Sequence, residues 1–166
     1  MTFSNKIAEL KNKGFFENLV ITRGIEKESL RVTEDGFLSQ TKHPKGLGSP
    51  LTNKYITTDF SEALVELVTP TFNNINDVYE FLLDLHIFTG KAMKPDEVLW
   101  TNSMPCFIAD ESEIRIAEFG SSNIGRLKNI YRKGLRVRYG SIMQCVAGIH
   151  YNFCLLYTSP SPRDDL

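Results

Sequence analysis

Two glutamates separated by a single residue form the first candidate site in this sequence. Glu26 and Glu28 lie in residues 19–32, a stretch that is rich in β-branched residues and then alternates strictly, so both carboxylates point to one face of a strand. Like charges placed so closely repel each other unless a cation lies between them, and hard cations such as Mg2+ prefer carboxylate oxygens. For either glutamate alone, an ordinary solvated strand face is the favoured interpretation, and a divalent-metal site is the alternative if carboxylates of neighbouring strands join the pair.

Further acidic residues occur in a second predicted strand and in the loop before it. Asp59 and Glu62 precede the apolar run 63–68, and Glu66 lies inside that run. A charge among apolar neighbours needs a partner, which a metal ion or a buried base would supply; an exposed sheet face is the alternative. His150 lies on a third predicted strand, where a hydrogen-bonded structural histidine is the ordinary interpretation.

A basic segment gives the second candidate site. Residues 126–138 contain six Lys and Arg side chains, with Tyr131 interleaved. Guanidinium groups suit phosphate and carboxylate, so phosphate or RNA binding is one interpretation. The basic positions occupy several sides of a helix, which is typical of a solvated surface, and Arg132 beside Tyr131 is the best candidate for a specific role. The turn before it, residues 120–125, lacks the lysine and the spacing of a P-loop.

The composition is that of an ordinary globular protein. The 166 residues are 42% hydrophobic and 23% charged with a formal net charge of -1, which fits one domain and excludes a global positive charge that favours nucleic acid or anionic lipid. Three cysteines without a CxxC pair predict neither a disulfide framework nor a zinc site. The N-terminus lacks a signal-peptide pattern, and no segment has the roughly 20 apolar residues of a membrane helix. We therefore expect a cytoplasmic protein.

The elements that must position these residues alternate irregularly between helix and strand. Apolar spacing and end signals predict helices over residues 3–13, 76–93 (with Asn76 as the N-cap) and 124–140, and strands over residues 19–32, 63–68 and 145–153. Between them we expect an ordered loop over residues 41–54, a loop with a short strand over 102–109 and a brief helix over 111–119. The polar, Pro-rich residues 157–166 predict a disordered end.

Five motifs, taken in order, resemble those of bacterial glutamate–cysteine ligase, also called gamma-glutamylcysteine synthetase. They are Arg23-Gly-Ile-Glu-Lys-Glu-Ser-Leu-Arg-Val32, Tyr55-Ile-Thr-Thr-Asp-Phe-Ser-Glu-Ala-Leu64, Ser103-Met-Pro-Cys106, Gly120-Ser-Ser-Asn-Ile-Gly-Arg126 and Gly148-Ile-His-Tyr-Asn-Phe153. The resemblance runs from about the start of the chain to Phe153, with the motifs in the order and spacing of that family.

The resemblance implies an α+β, glutamine-synthetase-like fold with a partial, curved, mainly antiparallel sheet and helices packed on one side. It implies ATP-dependent ligation of the γ-carboxylate of L-glutamate to the amino group of L-cysteine through γ-glutamyl phosphate, the first step of glutathione biosynthesis. Mg2+ would be the cofactor and ATP the co-substrate, with no nucleic acid, membrane or obligate protein partner. By resemblance the metal-site residues are Glu26, Glu28, Asp59, Glu66 and His150, and the residues of the cysteine pocket are Phe60, Tyr131 and Arg132.

Two departures from the family pattern accompany the resemblance. The family chain is much longer, so we expect residues 1–153 to be an N-terminal part of the ligase catalytic domain that is inactive on its own. Residues 154–166 look like translated adapter or vector sequence, a non-native and disordered tail. The rival interpretation is a non-catalytic binding domain that uses the helix 126–138 on RNA or an anionic protein. The ligase requires the acids on separate strands to converge, whereas the rival requires the basic residues to share one exposed face.

Overall fold

The computed structural model describes residues 2–14, 16–17 and 20–155. Its helices are α1 (Phe3–Asn12), α2 (Ile75–Ala92) and α3 (Asn123–Tyr139), and its strands are β1 (Ile21–Thr33), β2 (Ile56–Thr58), β3 (Leu64–Val68), β4 (Glu97–Leu99) and β5 (Ile149–Leu155). Short 3-10 turns occur at Lys45–Leu47, Glu111–Glu113 and Ile142–Cys145. Within the described ranges, no helix combines the length and the apolar character needed to cross a membrane.

Strand β1 is the centre of the sheet, and the pairings between these strands are antiparallel. One edge of β1 pairs with β3 over residues 26–30, and β2 pairs with the far side of β3. The other edge of β1 pairs with β5 over residues 21–27 and with β4 over residues 31–33. This is the α+β, mainly antiparallel architecture that the sequence predicts.

Alternation along β1 and β3 divides the sheet into two faces with separate cores. Val65 and Leu67 point to one face, where they pack with Leu85 of α2. Leu30 and Leu64 point to the other face and belong to a second core, against which a partly buried leucine of α3 packs. Helices therefore lie on both faces of the sheet, which corrects the expectation that they pack on one side.

A buried ion pair lies where β1 meets β4. Arg31 is fully buried, and its Nη1 lies 3.0 Å from Oε2 of Glu97. The hydroxyls of Ser39 and Thr41 donate hydrogen bonds to the same carboxylate, and Arg31 donates to three backbone carbonyls of the neighbouring loops. Burial alone would raise the pKa of Glu97, but the two hydroxyls and the Arg31 charge lower it overall. This carboxylate is fully compensated by its surroundings.

The starts of the two long helices are fixed by side-chain caps. The side-chain oxygen of Asn74 accepts the backbone N–H of Asn76 at 2.9 Å, so the N-cap of α2 lies two residues before the predicted one. At the start of α3, the Ser122 hydroxyl accepts the backbone N–H of Gly125 at 3.1 Å. Gly125 is required here, because a Cβ would collide with the backbone carbonyl of Phe119. This close approach holds the start of α3 against the preceding segment.

The shorter elements differ most from the prediction. Strands β2 and β4 have three residues each, too few to show a periodic pattern, and the sequence does not predict them. The expected helix over 111–119 is one 3-10 turn, and the expected short strand in 102–109 is a single bridge residue, Phe107. The third predicted strand begins at Ile149 because the residues before it form a 3-10 turn. Cys154 and Leu155, the first two residues of the expected 154–166 tail, lie in β5 and pair with β1, while the predicted disordered end over 157–166 falls outside the described residues.

Candidate metal and substrate site

The strand register brings the predicted metal-site residues to one face of the sheet. Glu28 lies directly opposite Glu66 in the β1–β3 pairing, and Glu26 lies directly opposite His150 in the β1–β5 pairing. Directly opposed residues project to the same face of a sheet. Asp59 follows β2, and its charge acts on both Glu28 and Glu66. We call these five side chains the acidic face.

Strand β5 and the glycine before it hold two of the acidic-face carboxylates by hydrogen bonds. Nδ1 of His150 lies 3.2 Å from Oε2 of Glu26, and Nδ2 of Asn152 donates to Oε1 of the same carboxylate at 3.0 Å. The backbone N–H of Gly148 donates to Oε2 of Glu28 at 2.7 Å. Segments that are far apart in the sequence therefore orient Glu26 and Glu28 together.

Glu66 is the acidic-face carboxylate with the least compensation. Among the described residues, its carboxylate forms no hydrogen bond or ion pair. Burial and the nearby charge of Asp59 raise the pKa of Glu66 to about 7. The charges of Glu28 and Glu26 add to this repulsion, and only Arg132 opposes it. The carboxyl group therefore takes up a proton more readily than an ordinary glutamate does.

Glu28 shows the same imbalance, although it has a hydrogen-bond partner. Burial raises the pKa of Glu28, and the N–H of Gly148 only partly opposes this effect. The nearby charge of Asp59 raises the pKa further. The opposed pair Glu28 and Glu66 thus concentrates negative charge that His150 and Arg132 balance only in part.

Helix α3 brings one cation to the border of the acidic face. Nη2 of Arg132 lies 3.7 Å from Oδ1 of Asp59, and its Nε donates to the Asp59 backbone carbonyl. The guanidinium lies over the ring of Phe119, 4.5 Å from its centroid. Burial lowers the pKa of Arg132, and the charges of Asp59 and Glu66 oppose that effect. Arg132 is thereby fixed by contacts on two sides and borders the acidic face as a preorganised cation.

The acidic face has the donor chemistry of a divalent-metal site. Carboxylate oxygens suit Mg2+, and a cation between them would relieve the repulsion that raises the pKa values of Glu28 and Glu66. As the side chains are placed, no three His, Cys, Asp or Glu residues within the described part of the chain form a group that could hold a metal ion. The opposed pairs, Glu28 with Glu66 and Glu26 with His150, are the units that a cation would bridge.

The residues predicted to form the cysteine pocket lie in different environments. Tyr131 is 64% exposed on α3, and Arg132, the next residue, contacts Asp59. Phe60 is 1% exposed and packs in the core that contains Leu30. The chain turns after Asp59 and directs the Phe60 ring inward, so its part in a cysteine pocket stays a prediction.

Sequence reasoning missed two contributors to this site. Gly148 acts through its backbone N–H, which leaves no trace in a side-chain pattern. Phe119 lies beneath the Arg132 guanidinium, 13 positions before it in the chain, and no periodicity links the two residues. A long-range contact of this kind has no local sequence signal, whereas the shared face of Glu26 and Glu28 follows directly from strand alternation.

The chain was compared with known protein families and curated relatives. The family described as Glutamate-cysteine ligase matches residues 6–158. The glutamate–cysteine ligase of Alcanivorax borkumensis is 57% identical over 133 residues, which cover 80% of this chain and 25% of the relative. The enzyme of the same name from Yersinia pseudotuberculosis is 53% identical over 135 residues, covering 81% of this chain and 26% of the relative. The chain thus spans about a quarter of the length of these relatives.

Solved structures with similar folds carry related names. A crystal structure of glutamate–cysteine ligase from Francisella tularensis in complex with AMP aligns with a TM-score of 0.81 at 49% identity, over 83% of this chain and 28% of that chain. A bifunctional glutathione synthetase from Pasteurella multocida aligns with a TM-score of 0.78 at 33% identity, over 95% of this chain and 19% of that chain. Both alignments extend over most of the fold described above.

Proposed function

The chain belongs to the glutamate–cysteine ligase family, and from that premise we propose that it forms part of an enzyme that joins L-glutamate to L-cysteine with ATP. The γ-carboxylate of glutamate is a poor acyl donor until ATP converts it to γ-glutamyl phosphate, which the amino group of cysteine then attacks. Support comes from the family match over residues 6–158 and from the AMP complex of the Francisella tularensis relative. The observation that carries the proposal is the opposed pair Glu28 and Glu66, two carboxylates that face each other across β1 and β3 and offer the oxygen ligands that Mg2+ prefers.

In this proposal the acidic face holds Mg2+ through Glu26, Glu28, Asp59 and Glu66, with His150 as a further residue. When bound, Mg2+ supplies charge neutralisation at the oxygens of a phosphoryl group in transfer. The hydrogen bonds from Gly148 and Asn152 keep the Glu28 and Glu26 carboxylates aligned. The antiparallel sheet fixes the spacing of the opposed pairs, so little reorganisation is needed when a cation binds.

For the amino-acid acceptor, we propose that Arg132 and Tyr131 act together. A guanidinium fork suits an α-carboxylate, and Arg132 is already oriented by Asp59 and by the ring of Phe119. The exposed ring of Tyr131 lies beside it in the sequence and provides an aromatic surface. The buried position of Phe60 leaves it only an indirect part in shaping this region.

We further propose that residues 1–153 are an N-terminal part of the catalytic domain and that the reaction requires the remaining length of the ligase. The relatives are about four times as long as the matched segment, and their later segments would supply the other substrate and nucleotide contacts. The cytoplasm is the proposed location, because Cys106, Cys145 and Cys154 are all free thiols, as in a reducing compartment. The tail boundary at residue 153 stays a prediction.

The metal assignment is tested with Glu26→Gln in the full-length ligase that carries this segment. The change keeps the side-chain shape and removes a hard anionic ligand, so turnover at limiting Mg2+ should fall by more than about tenfold, or about 1.4 kcal/mol in barrier. Glu34→Gln, the same change in an exposed turn, is the matched control and should leave turnover unchanged. Equal Mg2+ dependence of the wild-type and Glu26→Gln enzymes would contradict a role as metal ligand.

The acceptor assignment is tested with Arg132→Ala in the same enzyme. Loss of the guanidinium should raise KM for cysteine by about tenfold or more and leave KM for ATP nearly unchanged. Arg138→Ala, on the same helix and away from the acidic face, controls for loss of positive charge. Similar increases in both Michaelis constants would indicate a folding defect and would remove the support for carboxylate binding.

A further inference from the structure

A large cavity lies between α3 and the segment that precedes it. Its volume is about 730 Å3, within the range of pockets that bind small organic molecules. Its walls are residues of the 112–121 segment on one side and one side of α3 on the other. None of the five acidic-face residues lines it, and neither does Arg132. The cavity is therefore a separate feature from the proposed metal and substrate site.

Positive charge dominates the cavity walls. Four cations line it, namely Arg115, Arg126, Lys133 and Arg136. The carboxylate that also lines it, Glu118, already forms an ion pair with Lys42 at 3.0 Å. Within the described part of the chain, no acidic side chain lies in ion-pair distance of any of the four cations. Arg115 donates to the Gln40 carbonyl and Arg136 acts on Asp110 at longer range, so most of the positive charge at the cavity stays available to a ligand with several negative charges.

The cavity also has an apolar part. Ile116, Phe119 and Ile130 lie among the cations, and Asn129 adds a polar group whose side-chain amide donates to the Ala117 carbonyl. The concave shape and the mixture of apolar and cationic groups suit a compact molecule more than a nucleic-acid strand. The other basic residues of α3 have separate partners: Arg132 contacts Asp59, Arg138 lies over the ring of Tyr139, and Nζ of Lys128 lies 4.9 Å from the centroid of the Phe119 ring. The six basic residues of this helix thus do not form the single exposed face that RNA binding requires.

We propose that this cavity is a binding site for a small phosphorylated organic molecule, with its phosphate groups on Arg126, Lys133 and Arg136 and its apolar part against Ile116 and Ile130. Guanidinium groups bind phosphate oxygens in pairs, and the lysine adds a point charge. The spacing of positions 126, 133 and 136 places all three on one side of α3. Phosphate groups match this charge because each carries more negative charge than a carboxylate.

The experiment is calorimetric titration of this chain with inorganic pyrophosphate in EDTA, so that no metal ion on the acidic face can bind the probe. The double variant Arg126→Gln with Lys133→Gln should weaken binding by about tenfold or more, equivalent to about 1.4 kcal/mol. Both side chains are exposed, and circular dichroism melts would confirm that the variant folds. Arg138→Gln, which removes one positive charge from the same helix outside the cavity, should alter the dissociation constant by less than about twofold.

Three results would overturn this assignment. Equal binding by the wild-type chain and the double variant would place the probe elsewhere, and equal weakening by Arg138→Gln would indicate diffuse surface charge. Loss of pyrophosphate binding in the full-length ligase would show that the rest of that protein covers the cavity. The titration is independent of the proposed metal site, because Glu26→Gln should leave pyrophosphate binding in EDTA unchanged even where it abolishes ligase activity.

Discussion

Strand β1 carries two charged clusters that are built in opposite ways. At its C-terminal end, Arg31 and Glu97 form a fully buried ion pair, and hydroxyl groups complete the hydrogen bonding of the carboxylate. In its middle, Glu28 faces Glu66, and the Gly148 N–H, His150 and the more distant Arg132 offset the charge only in part. The pKa of Glu97 is lowered, whereas the pKa of Glu66 is raised to about 7.

The difference separates a structural role from a binding role. A carboxylate whose charge and hydrogen-bond acceptors are already satisfied has a structural role and offers no oxygen to a ligand. An uncompensated group of carboxylates destabilises the metal-free fold and gains most from an added cation, which is the property of a binding site. The two clusters are close along one strand, so the contrast comes from the partners that the fold supplies and not from the strand itself.

The largest effect is expected at the compensated cluster. Arg31→Met leaves the buried Glu97 carboxylate without its cation, and the free energy of unfolding should fall by about 3–5 kcal/mol. Urea unfolding of this chain measures the change. Arg138→Met, on an exposed turn of α3, should cost less than about 0.5 kcal/mol. A loss at Arg31 as small as the one at Arg138 would mean that the buried pair is not a structural element.

The sequence predicts the acidic cluster better than the buried pair. Strict alternation places Glu26 and Glu28 on one face without any knowledge of the fold, and the apolar neighbours of Glu66 indicate that its charge needs a partner. Pairing of Glu26 with His150 joins positions 124 apart, so it follows from the family resemblance and not from local pattern. Helices α2 and α3 are predicted within one or two residues because their caps and periodicity are local signals.

The buried pair has no comparable signal. Strand alternation places Arg31 on the face that also carries Lys27 and Ser29, so the pattern predicts an exposed side chain. Its partner Glu97 lies on a three-residue strand, 66 positions later. Phe60 is a second example, since nothing in its local sequence indicates that the turn after Asp59 buries its ring to 1% exposure. In both cases tertiary packing decides the burial of a side chain, and a single sequence does not contain that information.

A smaller effect is expected when Mg2+ is added to the chain at pH 8. Binding to the folded state alone should stabilise it by about 1.4 kcal/mol when the free Mg2+ concentration is about tenfold above Kd. Thermal melts with Mg2+ and with EDTA measure the difference. The double variant Glu26→Gln with Glu28→Gln should show no stabilisation, while Glu34→Gln should behave as the wild-type chain does. Identical melts with and without Mg2+ for the wild-type chain would leave the acidic face without its proposed cation.

The smallest effect concerns the proton on Glu66 in the metal-free chain. Its pKa is about 7 in the folded state against an ordinary value of 4.5, so the folded state binds a proton more tightly than the unfolded state does. The stability of the wild-type chain in EDTA should therefore fall as the pH rises from about 4.5 to about 7 and then level off.

The Glu66→Gln variant is neutral at this position at every pH, so its stability should match that of the wild-type chain near pH 4.5 and exceed it at pH 8. The gain should stay below about 1 kcal/mol, because solvent reaches this partly exposed carboxyl and screens the repulsion. Urea midpoints at the two pH values measure it. A Gln variant that is less stable than the wild-type chain at pH 8 would show that Glu66 has a compensating partner after all, and the contrast between the two clusters on β1 would not hold.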